Sequence, residues 1–127
     1  MKNIKTREQF STDPIVLKYF KTNPIVHAFL KKLQRDFVEY YETTFPNLSI
    51  PVIRLDFGSK FIKIWSGQSC WGFISRVNGI HKNAPIKKGD LLKPASWRAP
   101  AKHSRGNIIN GTASYDTYGP TYLHIKK

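Results

Sequence analysis

Hydrophobic positions recur at three-to-four spacing through the first third of the chain and at spacing two thereafter. Val26, Phe29, Leu30, Leu33, Phe37 and Tyr40 would share one face of a helix over about 24–44. Lys31, Lys32, Arg35, Asp36, Glu39 and Glu42 fall mainly on the other side. Ser11-Thr12-Asp13-Pro14 and Asn23-Pro24 each set a capping residue ahead of a proline at the first helical position, so a shorter helix over about 14–21 precedes the long one. Lys32 with Asp36, and Arg35 with Glu39, are opposite charges four apart, each pair worth about 0.2–0.5 kcal/mol. Phe45-Pro46-Asn47 ends the helix.

From residue 50 the period becomes two. Ile53, Leu55 and Phe57 alternate with Arg54 and Asp56, and Gly58-Ser59 turns. Ile62 and Ile64 then alternate with Phe61, Lys63 and Trp65; Gly67-Gln68 turns again; 69–77 makes a third strand carrying Trp71 and Phe73. Asn78-Gly79 is the strongest two-residue hairpin signal in the chain, with Ile80-His81-Lys82 beginning the return. Asn83-Ala84-Pro85 breaks the pattern, Gly89-Asp90 leads into a short strand over 91–93, and a proline-punctuated loop follows to residue 109. Tyr122 to Ile125 reads as a closing strand. The expectation is an α+β fold, with N-terminal helices packed on a small antiparallel sheet, a meander or a partly open barrel. No linker interrupts 1–127, which reads as one domain: a helical part over about 11–45 and a β-rich basic part over about 50–127.

Charge sharpens the division between these halves. The 127 residues carry a formal charge of +13. Residues 1–50 hold eight Lys/Arg against five Asp/Glu, whereas 51–127 hold thirteen against only Asp56, Asp90 and Asp116. The helices nearly neutralise themselves, and the excess belongs to the strands and loops. Such a balance points to nucleic acid first, and less often to an anionic membrane surface or an acidic protein. A single cysteine, Cys70, excludes an intramolecular disulfide and a cysteine-based metal site, and it reads as buried and inert. No apolar run approaches transmembrane length and no signal-peptide core is present, so an intracellular protein without a membrane role is expected.

The cations concentrate in one stretch. Lys93, Arg98, Lys102 and Arg105 recur every few residues between 92 and 109, with Trp97 and His103 among them and no acidic side chain. Pro94 and Pro100 argue against a helix there. A loop this cationic suits a polyphosphate, with Lys87 and Lys88 flanking the same surface. Trp97 would either stack on a base or anchor the loop to the core. Phe61, Lys63 and Trp65 pose a similar choice, between an aromatic platform edged by lysine and a surface packed beneath the helix. Apolar residues on both faces of that strand favour the packed surface.

Other chemistries find little support. His27, His81, His103 and His124 show no metal-ligand spacing, and three carboxylates beyond residue 50 are too few for a two-metal nuclease. Asp90 after Gly89 reads as a turn residue. His103 beside Lys102 and Arg105 could act as acid or base on a phosphodiester, which keeps a small metal-independent phosphodiesterase in view. No nucleotide-binding glycine motif or nucleophile elbow occurs. No cofactor or metal is expected.

Lys60-Phe61-Ile62-Lys63-Ile64-Trp65 followed by Ser69-Cys70-Trp71-Gly72-Phe73-Ile74 resembles a pattern in small bacteriophage proteins. More specific is Gly89-Asp90-Leu91-Leu92-Lys93-Pro94-Ala95-Ser96-Trp97-Arg98-Ala99-Pro100-Ala101-Lys102, continuing through Arg105-Gly106-Asn107-Ile108 to Tyr118-Gly119-Pro120. The likeness covers about 54–123, leaves the N-terminal helices outside as an elaboration of this chain, and is to an uncharacterised family. It implies an origin and no activity: a phage-encoded protein in the infected bacterial cytoplasm or in the virion. The leading expectation is thus a non-enzymatic protein that binds DNA or RNA through Lys87, Lys88, Lys93, Trp97, Arg98, Lys102, His103 and Arg105. Its rival is an interaction protein, an inhibitor or an assembly component, that docks the same surface on an acidic host or phage protein.

Overall fold

A computed structural model describes residues 14–96 and 98–121. Two helices lead, α1 (Pro14–Thr22) and α2 (Pro24–Thr44), within a residue of the spans the periodicity predicts. Ser11 to Asp13 lie outside the described residues. Asn23 does not cap α2 with its side chain. Its Nδ2 donates instead to the Tyr19 carbonyl at 2.9 Å and to Thr22 Oγ1 at 3.0 Å, closing α1. Pro24 at the first position of α2 has no N–H to satisfy, which relaxes the need for a cap. Of the two expected ion pairs, Lys32–Asp36 closes at 2.9 Å, while Arg35 and Glu39 both stay exposed.

Among the described residues nine strands follow: β1 (Ile53–Phe57), β2 (Phe61–Ser66), β3 (Ser69–Ser75), β4 (Gly79–His81), β5 (Ala84–Ile86), β6 (Asp90–Ser96), β7 (Ala99–Asn107), β8 (Tyr115–Asp116) and β9 (Gly119–Pro120). The main sheet has the antiparallel order β1-β2-β3-β6-β7, with β1 and β7 at its edges. The fold is α+β, and the meander is interrupted. Asn78-Gly79 does not make the tight turn. The reversal falls at Lys82-Asn83, with φ of 51° and 67°, the two left-handed residues of a type I′ hairpin. β4 therefore pairs with β5 alone, and β6 takes the place beside β3. Pro85 sits opposite Ile80 in this two-stranded ribbon, where an outer edge tolerates a missing N–H. The expected closing strand at Tyr122 to Ile125 lies outside the described residues.

Strand register separates two faces. Phe57, Ile62, Ile74 and Leu91 form one row across four strands, and all belong to the core beneath the helices. There Ile53, Ile64 and Trp71 pack with Phe20, Phe29, Leu30, Leu33 and Phe37. Gln34 is also fully buried; its Nε2 donates to the Pro51 carbonyl and its Oε1 accepts from the Ile53 N–H, tying α2 to the start of β1. The opposite row runs Asp56, Lys63, Phe73, Leu92 and Ser104 across all five strands. Phe73 and Leu92 bury beneath Ile86 of β5, with Phe61 and Cys70 beside them.

This corrects the expectation for the aromatic strand. Phe61, Lys63 and Trp65 alternate with Ile62 and Ile64, so only the isoleucines pack under the helices. Trp71 goes the other way. Ile64 pairs with Gly72 and Trp65 with Cys70, leaving Trp71 as the extra residue of a bulge. It enters the helix-side core, 6.3 Å from Phe29 and 6.0 Å from Tyr115 between ring centres.

Candidate nucleic-acid interface

The segment predicted as a basic loop is the body of a β-ribbon. Ser96 pairs with Ala99, so the chain reverses between β6 and β7. Pro94 and Pro100 face each other across the ribbon. Two prolines can do so where neither strand needs an N–H from the pair. The setting permits this, because β3 pairs with β6 only at Leu91 and Leu92 and β7 is a sheet edge. Proline excludes a helix here but leaves an edge strand open, and the sequence reading missed that distinction.

The ribbon's register gathers its cations. Leu92 pairs with Ser104 and Pro94 with Pro100, so the single residue Lys93 is opposed by three, Ala101, Lys102 and His103. The two extra residues make a bulge in β7. Lys93, Lys102 and His103 are all exposed at this level. Arg98 is exposed at the turn, its N–H held by Ser96 Oγ at 3.1 Å. Arg105 lies nearer the base and is half-buried. Lys87 and Lys88 are exposed in the turn before β6. From Asp90 to Ser96 the ribbon extends about 20 Å, at about 3.3 Å per residue. Of the predicted residues, Lys93, Arg98, Lys102, His103 and Arg105 thus lie along one ribbon, with Lys93, Lys102 and His103 at one level of its register. Trp97 lies outside the described residues. No acidic residue occurs between Asp90 and Asp116.

The base is fixed by a polar network around Asp90, which is buried and has the structural role its turn position suggests. One carboxylate oxygen accepts from Asn107 Nδ2 at 2.9 Å and the other from the Lys87 N–H at 2.8 Å. Asn107 Nδ2 also donates to the Lys88 carbonyl at 2.9 Å. Higher up, His81 Nε2 lies 3.1 Å from the Pro100 carbonyl while its ring meets Phe61 edge-on at 5.1 Å. The β4–β5 hairpin therefore backs the ribbon on its Pro100 side.

A second cationic cluster lies on the strand face that the sequence offered as an aromatic platform edged by lysine; Arg54 is the member that the sequence reading missed. On the outer face of β1 and β2, the Arg54 guanidinium lies 4.9 Å and the Lys63 ammonium 4.2 Å from the centre of the Trp65 ring. The indole N–H donates to Asp56 Oδ2 at 2.8 Å. The hairpin closing at 58–60 sets Arg54 opposite Trp65 and Asp56 opposite Lys63. That register was the available signal. Arg76 is different: it sits over the rings of Tyr19 and Phe57 and donates to the Gly58 carbonyl, braced within the fold.

Among the described residues two grooves lie elsewhere. One, of about 610 Å³, runs between α2 and β8 past Lys32, Asp36, Glu39 and Asp116. The other, of about 240 Å³, is walled by Tyr40, Tyr41, Trp71 and Tyr118. Neither includes a ribbon residue. Among the described residues no three His, Cys, Asp or Glu side chains group as a metal site would need. Cys70 is half-buried, and burial pushes its thiol pKa up, with Lys63 opposing. No helix among the described residues is long and apolar enough to cross a membrane.

Residues 5–118 match the family of unknown function DUF7717, and the chain belongs to that family. The match takes in both helices, so they are part of the family's shared body and not an elaboration of this chain. No curated protein and no solved structure matches it.

Proposed function

We propose that this member of DUF7717 is a non-enzymatic nucleic-acid-binding protein that holds phosphate backbones on its β6–β7 ribbon. The observation that carries the reading is the bulged register that opposes Lys93 with Ala101-Lys102-His103. It places exposed cations at one level of a ribbon that has Arg98 at its tip. Neighbouring cations on a fixed backbone repel one another, and a row of phosphates relieves that repulsion while releasing condensed counterions. The Asp90–Asn107 network fixes the ribbon's base, so few residues need ordering on binding. The resemblance of 54–123 to small bacteriophage proteins supports a place in the infected bacterial cytoplasm or in the virion.

Fluorescence anisotropy with labelled DNA and RNA tests the reading. Affinity should fall steeply between about 50 and about 200 mM salt. The triple variant Lys93→Ala, Arg98→Ala, Lys102→Ala should flatten that dependence. Affinity indifferent to salt refutes the proposal. A host partner whose capture survives nuclease treatment would replace it with docking on an acidic protein. Cleavage of labelled RNA in EDTA that disappears in His103→Ala would replace it with a phosphodiesterase.

A further inference from the structure

We infer that the Trp65 cluster is a second contact for the same ligand, and that this ligand is single-stranded. The inference rests on the ribbon reading and adds the class of nucleic acid. Trp65 lies on β2, inside the five-stranded sheet, and its indole is oriented by the 2.8 Å bond to Asp56. Arg54 and Lys63 both converge on that one ring. Arg54 is exposed, and Trp65 and Lys63 are partly so. Nearby, Lys60 reaches over the Phe61 ring.

An indole and a guanidinium plane are the groups on which an unpaired base stacks, and adjacent ammonium groups neutralise the phosphates on either side of it. A base inside a duplex has both faces covered by its neighbours, so this chemistry selects single strands. The Lys63 ammonium occupies the ring face at 4.2 Å and can swing on its flexible stem to a phosphate when a base takes that place. Asp56 lies at the indole N–H edge, which directs a phosphate toward the Arg54 and Lys63 side.

The geometry also links this cluster to the ribbon. Lys63, Phe73, Leu92 and Ser104 form one row on the same face. Three strand spacings of about 4.8 Å separate β2 from β7, or about 14 Å. Lys102 and His103 immediately precede Ser104. Phe73 and Leu92 in the middle of that row lie beneath Ile86 of β5, so one strand of nucleic acid would pass around the β4–β5 hairpin to join the Trp65 stack to the ribbon's bulge, a path within the site of roughly 4–16 nucleotides that single-strand-binding folds cover.

The test compares a labelled oligothymidylate with a duplex of equal length on the full chain, by anisotropy and by quenching of indole fluorescence. The single strand should bind tighter, and Trp65→Leu should weaken it about 5- to 150-fold, the range for loss of one stacked base. Trp65→Phe should recover most of that loss, while the quenching seen with the native protein disappears. Equal single-strand affinity in native protein and Trp65→Leu, or a preference for duplex, overturns the inference. In either case salt-dependent binding through the ribbon would persist, whereas failure of the ribbon reading would abolish salt-dependent binding altogether.

Discussion

At the foot of the ribbon the Asp90 carboxylate accepts a 2.9 Å hydrogen bond from the Asn107 side-chain amide, and both residues are 8% exposed. The bond joins the first residue of β6 to the last of β7, which also pair in register. Asn107 Oδ1 in turn accepts from the Ile109 and Asn110 N–H groups, so the pair also fixes the chain leaving the ribbon. Asp90→Ala strands the Lys87 N–H and one Asn107 donor, a loss of about 1–3 kcal/mol. In a double-mutant cycle by chemical denaturation, Asp90→Ala and Asn107→Ala should couple by at least about 0.5 kcal/mol. Purely additive costs would show that the two act separately.

Gly106 should be irreplaceable in the same structure. Its φ is 95°, and a Cβ built there would run into the Thr112 carbonyl oxygen. That oxygen belongs to the backbone and cannot swing aside. Gly106→Ala should lower stability by more than the roughly 1–3 kcal/mol of backbone strain alone. Amide exchange should rise first along β7. Unchanged thermal stability would mean that the loop after β7 adapts freely.

The helices were legible in the sequence because proline starts and the three-to-four spacing of Val26, Phe29, Leu30, Leu33 and Phe37 agree. The first three strands were legible for the same reason at spacing two. The ribbon was not, because its prolines and repeated register shifts erase alternation. The pairing of Leu92 with Ser104, Pro94 with Pro100 and Ser96 with Ala99 shows that the segment is extended. The type I′ turn at Lys82-Asn83 lacks glycine, so Asn78-Gly79 drew the prediction away from it. Individual cations could be named from the sequence. Their placement at one level around Lys93, and the convergence of Arg54 and Lys63 on Trp65, depended on register.

Register also sets what each ribbon lysine should do. A lysine that contacts one phosphate contributes about 0.7–0.9 to the slope of log affinity against log salt. Lys93→Ala and Lys102→Ala should each remove about that much, and their effects on the slope should add. Lys18→Ala, exposed on α1, should leave the slope unchanged. Anisotropy titrations at four salt concentrations separate these outcomes. A slope lost equally with Lys18 would mean that net charge acts without a defined surface.

His27 supplies a stability prediction independent of any ligand. Its ring stacks on Phe20 at 4.1 Å between centroids, with the planes 3° apart. Burial, and then the charge of Lys31, lowers its pKa from the ordinary 6.5. The folded state thus favours the neutral ring, and the unfolded chain takes up the proton first as pH falls. The contribution is complete above the ordinary 6.5 and declines as pH drops through the window down to the lowered folded value. Below that window it stays lost. Melting temperature should therefore fall on going from about pH 7.5 to about pH 5, and His27→Phe, which keeps a ring against Phe20, should remove this share of the decline. An unaltered pH profile in His27→Phe would assign the decline to other groups. A chemical-shift titration of the His27 ring, read in the folded protein, checks the direction of the shift itself.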